Sequence, residues 1–406
     1  MGLFDRHAAL AERYRSARQA GIDPVGVEMQ RVISPTEAII NGKPTILVGT
    51  NNYLGLTFDQ SCIDAAVAAT LAEGTGTTGS RIANGSYAEH EALERELAEF
   101  FGMKSCMVFS TGFQANTGTI ATLVGDGDYL IIDADSHASI YDACKMTTAT
   151  IIRFRHNDPV DLDKRLRRLG DAPGNKLVVV EGVYSMLGDK APLRAICEVS
   201  KKHGAYLLVD EAHSLGVCGE KGRGMVEEDG ILDQVDFVVG TFSKTLGAVG
   251  GYAVSSHPEF DLLRVTARPY MFTASLPPSI IASVRQALRM VQAKPELRTR
   301  LWRNIDTLYD GFAAAGFTLG PQKGPVVAVH LPSVEMGLAV WKGLLDSGVY
   351  VNLAVPPATP NSSVLLRCSI CAAHTDEQLN RVVDTLTAIG EQLGILPRKQ
   401  MLAAAG

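Results

Sequence analysis

From about residue 60 onward the chain alternates between segments whose apolar residues recur at three- and four-residue spacing and short runs that are apolar throughout. The short runs are SCMVFS (105–110), DYLIID (128–133), TIIRF (150–154), KLVVVEG (176–182), AYLLVDE (205–211), DFVVGT (236–241) and GGYAVS (250–255). A strand with one face in water alternates apolar and polar residues, and most of these do not. They predict a mostly parallel sheet covered on both faces. Helical segments fall between them, for example APLRAICEVSKKHG (191–204), where helical spacing ends in a glycine stop.

Beyond TASLPPS (273–279) the sheet pattern gives way to a long helical stretch, about 278–316. It is followed by GPVVAVHL (324–331), VYVNLAV (349–355), SVLLRCSI (363–370) and a final helix from Thr375. The pattern predicts an α/β protein with an N-terminal arm or helix over 1–58, a large α/β domain over 59–290 and a smaller α+β domain over 291–406.

Composition narrows the function classes. A chain of 406 residues can bury a sizeable core, and a formal net charge of −6 with no basic run gives no footprint for nucleic acid. The seven cysteines are scattered through apolar segments, which suits reduced thiols in the cytoplasm better than a disulfide framework. No stretch reaches the ~18 uninterrupted apolar residues of a spanning helix, and no signal-peptide core is present. MGLFDRHAALAERYRSAR (1–18) predicts a helix with an apolar face and several arginines, an arm on its own protein or on a partner subunit. Peripheral contact with the inner membrane face is the alternative reading. Arg6 breaks the myristoylation pattern.

Three short motifs fail in context. GTGTTG (74–79) has the letters of a dinucleotide fingerprint but follows a helical segment instead of a strand. DEAH (210–213) imitates a helicase box, yet no phosphate-binding loop accompanies it, and Lys244-Thr245 is preceded by Ser243 where such a loop requires glycine. CSIC (368–371) is a lone pair of cysteines in a predicted strand, so no metal site is expected.

What remains clusters at strand ends, where open α/β sheets place their ligands. Asp210 ends the fifth predicted strand with His213 just after it, and Lys244 lies just beyond the sixth. Taken alone, Asp210 and Lys244 are equally readable as an ion pair. FSTGFQAN (109–116) carries Gly112 and Phe113 from a strand end into a helix start, whose free N–H groups and dipole suit a phosphate. Thr241 and Ser243 add hydroxyl donors, and His137 in DADSHASI (133–140) follows another strand end. A phosphate site, a carboxylate and a lysine around one crevice point to pyridoxal 5′-phosphate, which needs a Schiff-base lysine and an acidic partner for its ring nitrogen.

At this point a resemblance becomes specific. NNYLGL, TGTTGSRIANGSYAEHEALERELAEFFG, STGFQAN, DADSHASI, EGVYSMLGD, VDEAHSLGVCGEKGRG, GTFSKTLGAVGG, RPYMFTASLPPS, PPATP and LLRCSICAAHT occur in order along nearly the whole chain. Together they resemble the α-oxoamine synthases, which are fold-type I pyridoxal-phosphate enzymes with the aspartate aminotransferase-like architecture. The resemblance implies that Lys244 forms the Schiff base, Asp210 holds the ring nitrogen protonated, His213 bonds the phenolic oxygen and His137 stacks on the ring. It further implies that Gly112, Phe113, Thr241 and Ser243 bind the phosphate, with Thr273 reaching it from the other subunit of a homodimer whose active sites lie at the interface. Arg367, assisted by Asn52, would clamp the substrate carboxylate.

Relatives that use glycine or alanine usually show leucine and glycine between the threonine and the lysine, whereas this chain has Phe242-Ser243. The expected reaction is therefore the decarboxylating condensation of L-serine with a long-chain acyl thioester, carried by coenzyme A or acyl carrier protein. Its product would be a 3-keto long-chain base, the first step of sphingolipid biosynthesis. An α-oxoamine synthase using alanine or glycine is the alternative. A catalytically silent subunit would be marked by loss of the lysine, and Lys244 is present.

Overall fold

The computed structural model describes residues 2–19, 21 and 23–397. All seven predicted strands form, as β4 (Ser105–Phe109), β5 (Tyr129–Asp133), β6 (Thr150–Phe154), β7 (Lys176–Glu181), β8 (Tyr206–Asp210), β9 (Phe237–Thr241) and β10 (Gly251–Ser255). The three strands β1 (Arg31–Ser34), β2 (Glu37–Ile40) and β3 (Lys43–Leu47) precede them. The central sheet runs β4-β10-β9-β8-β7-β5-β6. Strands β9, β8, β7, β5 and β6 are parallel, while β10 pairs antiparallel with both β4 and β9.

The continuous apolar runs have the meaning expected of them. Val178 and Val180 pack into one core while Leu177 and Val179, on the opposite face of the same strand, pack into another. Each such burial stabilises the fold by roughly 1.5–3 kcal/mol. The helices Gly112–Leu123 and Ala138–Met146 follow β4 and β5, so their N-termini stand at the carboxyl edge of the sheet.

Three details were not predicted. Residues 31–47, expected as part of an N-terminal arm or helix, form the antiparallel strands β1, β2 and β3. The helical stretch divides into Pro278–Ala293 and Pro295–Ala315, because the residue before a proline is pushed out of helical conformation, and Lys294 has φ −123° and ψ 66°. VYVNLAV divides into β12 (Val349–Tyr350) and β13 (Asn352–Ala354). β12 joins the N-terminal sheet β1-β2-β3-β12, and β13 joins the sheet of β11 (Val326–Leu331) and β14 (Val364–Ser369) in the order β11-β14-β13. One short segment thus ties residues 31–47 to the C-terminal strands.

A helix spans Ala8–Gln19, with Leu3 and Phe4 exposed ahead of it. Among the described residues no helix is long and apolar enough to cross a membrane. The 74–79 motif lies in a loop beyond the helix Gln60–Glu73, and Thr77 Oγ1 meets Ser275 Oγ at 2.7 Å. Cys368 and Cys371 are buried, and burial pushes both thiols up to about 12, which keeps them in the unreactive protonated form.

Candidate active site

A cavity of ≈300 Å³ opens at the carboxyl edge of the central sheet. It brings together Gly112, Phe113, His137, Asp210, His213, Thr241, Ser243 and Lys244, eight of the eleven residues expected from the sequence.

Lys244 leaves β9 through a tight reversal in which the Phe242 amide donates to Gly250 O (3.0 Å) and the Gly247 amide to Lys244 O (3.0 Å). Gly250 has φ 137°, and a Cβ there would lie 2.4 Å from the Phe242 ring, so no other residue fits. Thr245 Oγ1 anchors the turn by donating to Leu215 O at 2.6 Å. Burial lowers the Lys244 amine to about 8; Asp210 opposes that shift and Arg367 reinforces it.

Gly112 opens its helix, and the cap is Thr111, whose hydroxyl accepts from the Gln114 amide at 3.0 Å. The amides of the first turn have no intrahelical partner. A Cβ on Gly112 would lie 2.7 Å from Thr241 Cβ, so the helix start sits against the end of β9. Thr241 Oγ1 lies 2.9 Å from Ser243 Oγ, placing two hydroxyls beside those amides. The Phe113 side chain is itself exposed.

Asp210 ends β8 and is buried. Its Oδ1 accepts from the Ala212 amide (2.8 Å) and its Oδ2 from Asn116 Nδ2 (2.6 Å). Asn116 Nδ2 also donates to Ser139 Oγ at 2.9 Å, and Ser139 Oγ lies 2.8 Å from His137 Nδ1. His137 caps the helix Ala138–Met146, its Nδ1 accepting from the Ser139 amide at 3.2 Å. That leaves Nε2 to carry the proton of the neutral ring. Burial lowers the His137 pKa; Asp210 opposes the shift and Lys244 adds to it.

His213 is buried and held neutral, well below its ordinary value, first by desolvation and then by Lys244 and Arg367. Its Nδ1 lies 2.6 Å from Tyr53 Oη. Burial pushes the Tyr53 hydroxyl up to about 12, so it stays protonated and donates, and His213 carries its own proton on Nε2. The other acceptor near Tyr53, Asn51 Oδ1, is farther at 3.4 Å. Tyr53→Phe is expected to leave the ring packing intact and strand a buried imidazole acceptor, costing about 1–3 kcal/mol in urea unfolding. Imidazole ¹⁵N spectra of the variant should show His213 losing its single tautomer.

Arg367 lies within β14 and is 7% exposed. Its Nε donates to Ser185 O (2.5 Å) and its Nη1 to Asn51 Oδ1 (3.1 Å) and Ser369 Oγ (3.0 Å). The guanidinium is thus fixed on one side. Asn51 makes this contact; Asn52 donates to Thr57 Oγ1 at 2.6 Å, while its own Oδ1 is buried without a partner. Thr273 lines a small adjoining cleft with Ser110, His90 and Ser275.

The structure adds residues the sequence reading passed over. Glu181 ends β7 in the cavity wall and accepts from the His137 amide at 2.5 Å; burial, then Asp210, hold its carboxyl well above the usual range. The strand-end rule that singled out Asp210 applies equally to the final glutamate of KLVVVE. Asn116 and Ser139 lay inside motifs already noted, but their bridging role needs the fold.

The set suits pyridoxal 5′-phosphate. Free helix amides and the Ser243 hydroxyl form an anion end beside Thr241, whose hydroxyl donates to Gly250 O at 2.9 Å, and no Cβ can fill the cradle at Gly112. A lysine amine of lowered basicity and a doubly hydrogen-bonded carboxylate occupy the same cavity.

The family model for aminotransferase class I and II matches residues 43–386. Serine palmitoyltransferase of Caulobacter vibrioides is 59% identical over 396 residues, 98% of each chain. That of Sphingomonas paucimobilis is 51% identical over 389 residues, 95% of this chain and 92% of the relative. A solved structure of serine palmitoyltransferase from S. paucimobilis with a bound PLP–myriocin aldimine superposes with TM-score 0.96 at 50% identity, covering 98% of this chain and 100% of that one.

Proposed function

The chain belongs to the aminotransferase class I and II family, and from that premise we propose that it is a pyridoxal 5′-phosphate-dependent serine palmitoyltransferase. It joins the α-carbon of L-serine to the acyl carbon of a long-chain acyl thioester, releasing CO₂ and the free thiol. The observation that carries the reading is the lysine amine lowered to about 8 within one cavity that also holds Asp210 and a helix N-terminus.

In this reading Gly112 and Phe113 amides with the Thr241 and Ser243 hydroxyls would hold the phosphate. Asp210 would hold the ring nitrogen, His213 Nε2–H the phenolic oxygen, and His137 the ring face, with Thr273 contributed across a homodimer interface. When bound, the cofactor supplies an electron sink that makes the α-carbon of the amino acid acidic. Lys244 takes the α-proton: an amine of pKa about 8 is neutral in a large fraction of molecules near that pH and matches general-base duty. Arg367, fixed through Nε and Nη1, grips the serine carboxylate and orients the bonds at the α-carbon, with Asn52 assisting through its Nδ2 donor. Asn116 and Ser139 hold Asp210 and His137 in one orientation. Coenzyme A or acyl carrier protein brings the acyl group, the chain works in the cytoplasm, and exposed Leu3 and Phe4 are the proposed membrane contact for an enzyme whose product is a lipid.

Adding L-serine, L-alanine, glycine or L-threonine to the holoenzyme and following the cofactor absorbance tests the substrate. Serine is expected to perturb the spectrum and, with palmitoyl thioester, to give CO₂ and product. A response to alanine or glycine with none to serine would overturn the assignment.

A further inference from the structure

Behind the cavity, three loops that share no sequence motif converge on one imidazole. His156, just beyond β6, has Nδ1 2.8 Å from Asp133 Oδ1 and Nε2 2.7 Å from Asp189 Oδ2. Asp133 ends β5, and Asp189 closes the excursion that follows β7. Both ring nitrogens face oxygens that in a carboxylate can only accept, so both bonds form together only when the ring carries two protons.

Asp133 is wholly buried and also accepts from the amides of Asp135 (2.8 Å) and Asn157 (2.8 Å). Asp189 also accepts from Asn157 Nδ2 at 2.8 Å. The groups facing the imidazole are Asp133 and the more distant Asp135 (3.9 Å) from one loop, and Asp189 and the edge-on ring of Tyr184 (4.5 Å) from the other. The nearby cations are engaged elsewhere, Arg155 with Asp158 and Lys190 with Glu228.

Each anchored loop carries a part of the active site. Four residues after Asp133 comes His137, whose amide bonds Glu181. Between Glu181 and Asp189 lies Ser185, whose carbonyl receives Arg367 Nε. The excursion is closed by the Tyr184 amide on Asp189 O (2.9 Å) and the Gly188 amide on Tyr184 O (3.0 Å).

We infer that His156 is a positioning residue for the amino-acid substrate: as an imidazolium bridging Asp133 and Asp189, it locks the His137 loop and the Ser185 loop together and thereby aims Arg367 at the substrate carboxylate. This rests on the proposed function only in identifying the substrate. The two carboxylates hold the ring charged against the opposing effect of burial, up to about 10, so the bridge is intact across the working pH range.

His156→Gln, which reaches one carboxylate at a time, is expected to retain cofactor absorbance and helix content. Its KM for serine should rise roughly tenfold to a hundredfold while KM for the acyl thioester stays within about twofold, since the loss is one of orientation. Asp189→Asn should show the same split. In the wild-type holoenzyme, ¹⁵N spectra should show both nitrogens of His156 protonated at pH 8, a reading that needs neither variant to fold nor any substrate. Unchanged serine KM, equal rises for both substrates, loss of cofactor in both variants, or an unprotonated His156 nitrogen at pH 8 would each overturn the inference. If the wild type answers alanine in place of serine, the substrate assignment fails, and the KM split is then read with alanine.

Discussion

Lys244→Ala is expected to eliminate product formation, with turnover reduced by more than about 10³-fold, because under the proposed function the variant loses both the covalent tether for the cofactor and the base for the α-proton. Unfolding does not account for that loss. Burial lowers the amine from 10.5 to about 8, so the folded chain binds this proton less tightly than the unfolded chain does. Stability contributed by this group therefore rises as pH increases from about 8 to 10.5 and is at its lowest below 8. Removing the amine at pH 7 relieves a desolvated charge, and the cofactor-free variant should melt at or above the temperature of the cofactor-free wild type. Scanning calorimetry beside a product assay separates the two effects. Retained turnover would remove Lys244 from its role, and a lowered melting temperature would contradict the electrostatics assigned to it.

Asp210→Asn is expected to reduce turnover by roughly 10²–10³-fold with the cofactor still bound through its other contacts, since an amide cannot hold a ring nitrogen in its cationic form. Two donors now meet at Asp210, the Ala212 amide and Asn116 Nδ2. An asparagine offers them one oxygen, so the Asn116–Ser139–His137 chain loosens as well. The charge change has its own signature. Asp210 draws the Lys244 pKa upward against desolvation, so in the cofactor-free variant that pKa should fall below about 8. The pH dependence of amine acylation at Lys244 measures this directly, and an unchanged or higher value would show that Asp210 does not act on the lysine through its field.

Features written in local sequence were legible. Most strands of the central sheet follow from continuous apolar runs, and Asp210, His213, Lys244 and Gly112 follow from their positions at strand ends. Glu181 was equally accessible by that rule but reads at first as the end of an apolar run. What the sequence withheld depends on contacts between distant segments. Nothing local distinguishes Asn51 from Asn52, yet only the fold turns Asn51 toward Arg367, 316 residues away. The Tyr53–His213 bond spans 160 residues, and the His156 bridge draws on residues from three loops. The split of VYVNLAV between two sheets reflects which partners lie on either side of Val351, a tertiary circumstance invisible in its β-branched composition.

The way Arg367 is held has a consequence for how the protein acquires its activity. Two of its three fixing partners, Ser185 and Asn51, lie 182 and 316 residues earlier in the chain. Contacts of such sequence separation form late, because the chain between them must be ordered before they gain anything from meeting. As synthesis proceeds from the N-terminus, strands β4 to β10 can assemble on the ribosome before β14 has been made. In the proposed reading the carboxylate grip is therefore completed only after β14 has been made, once the strands that form the rest of the crevice exist.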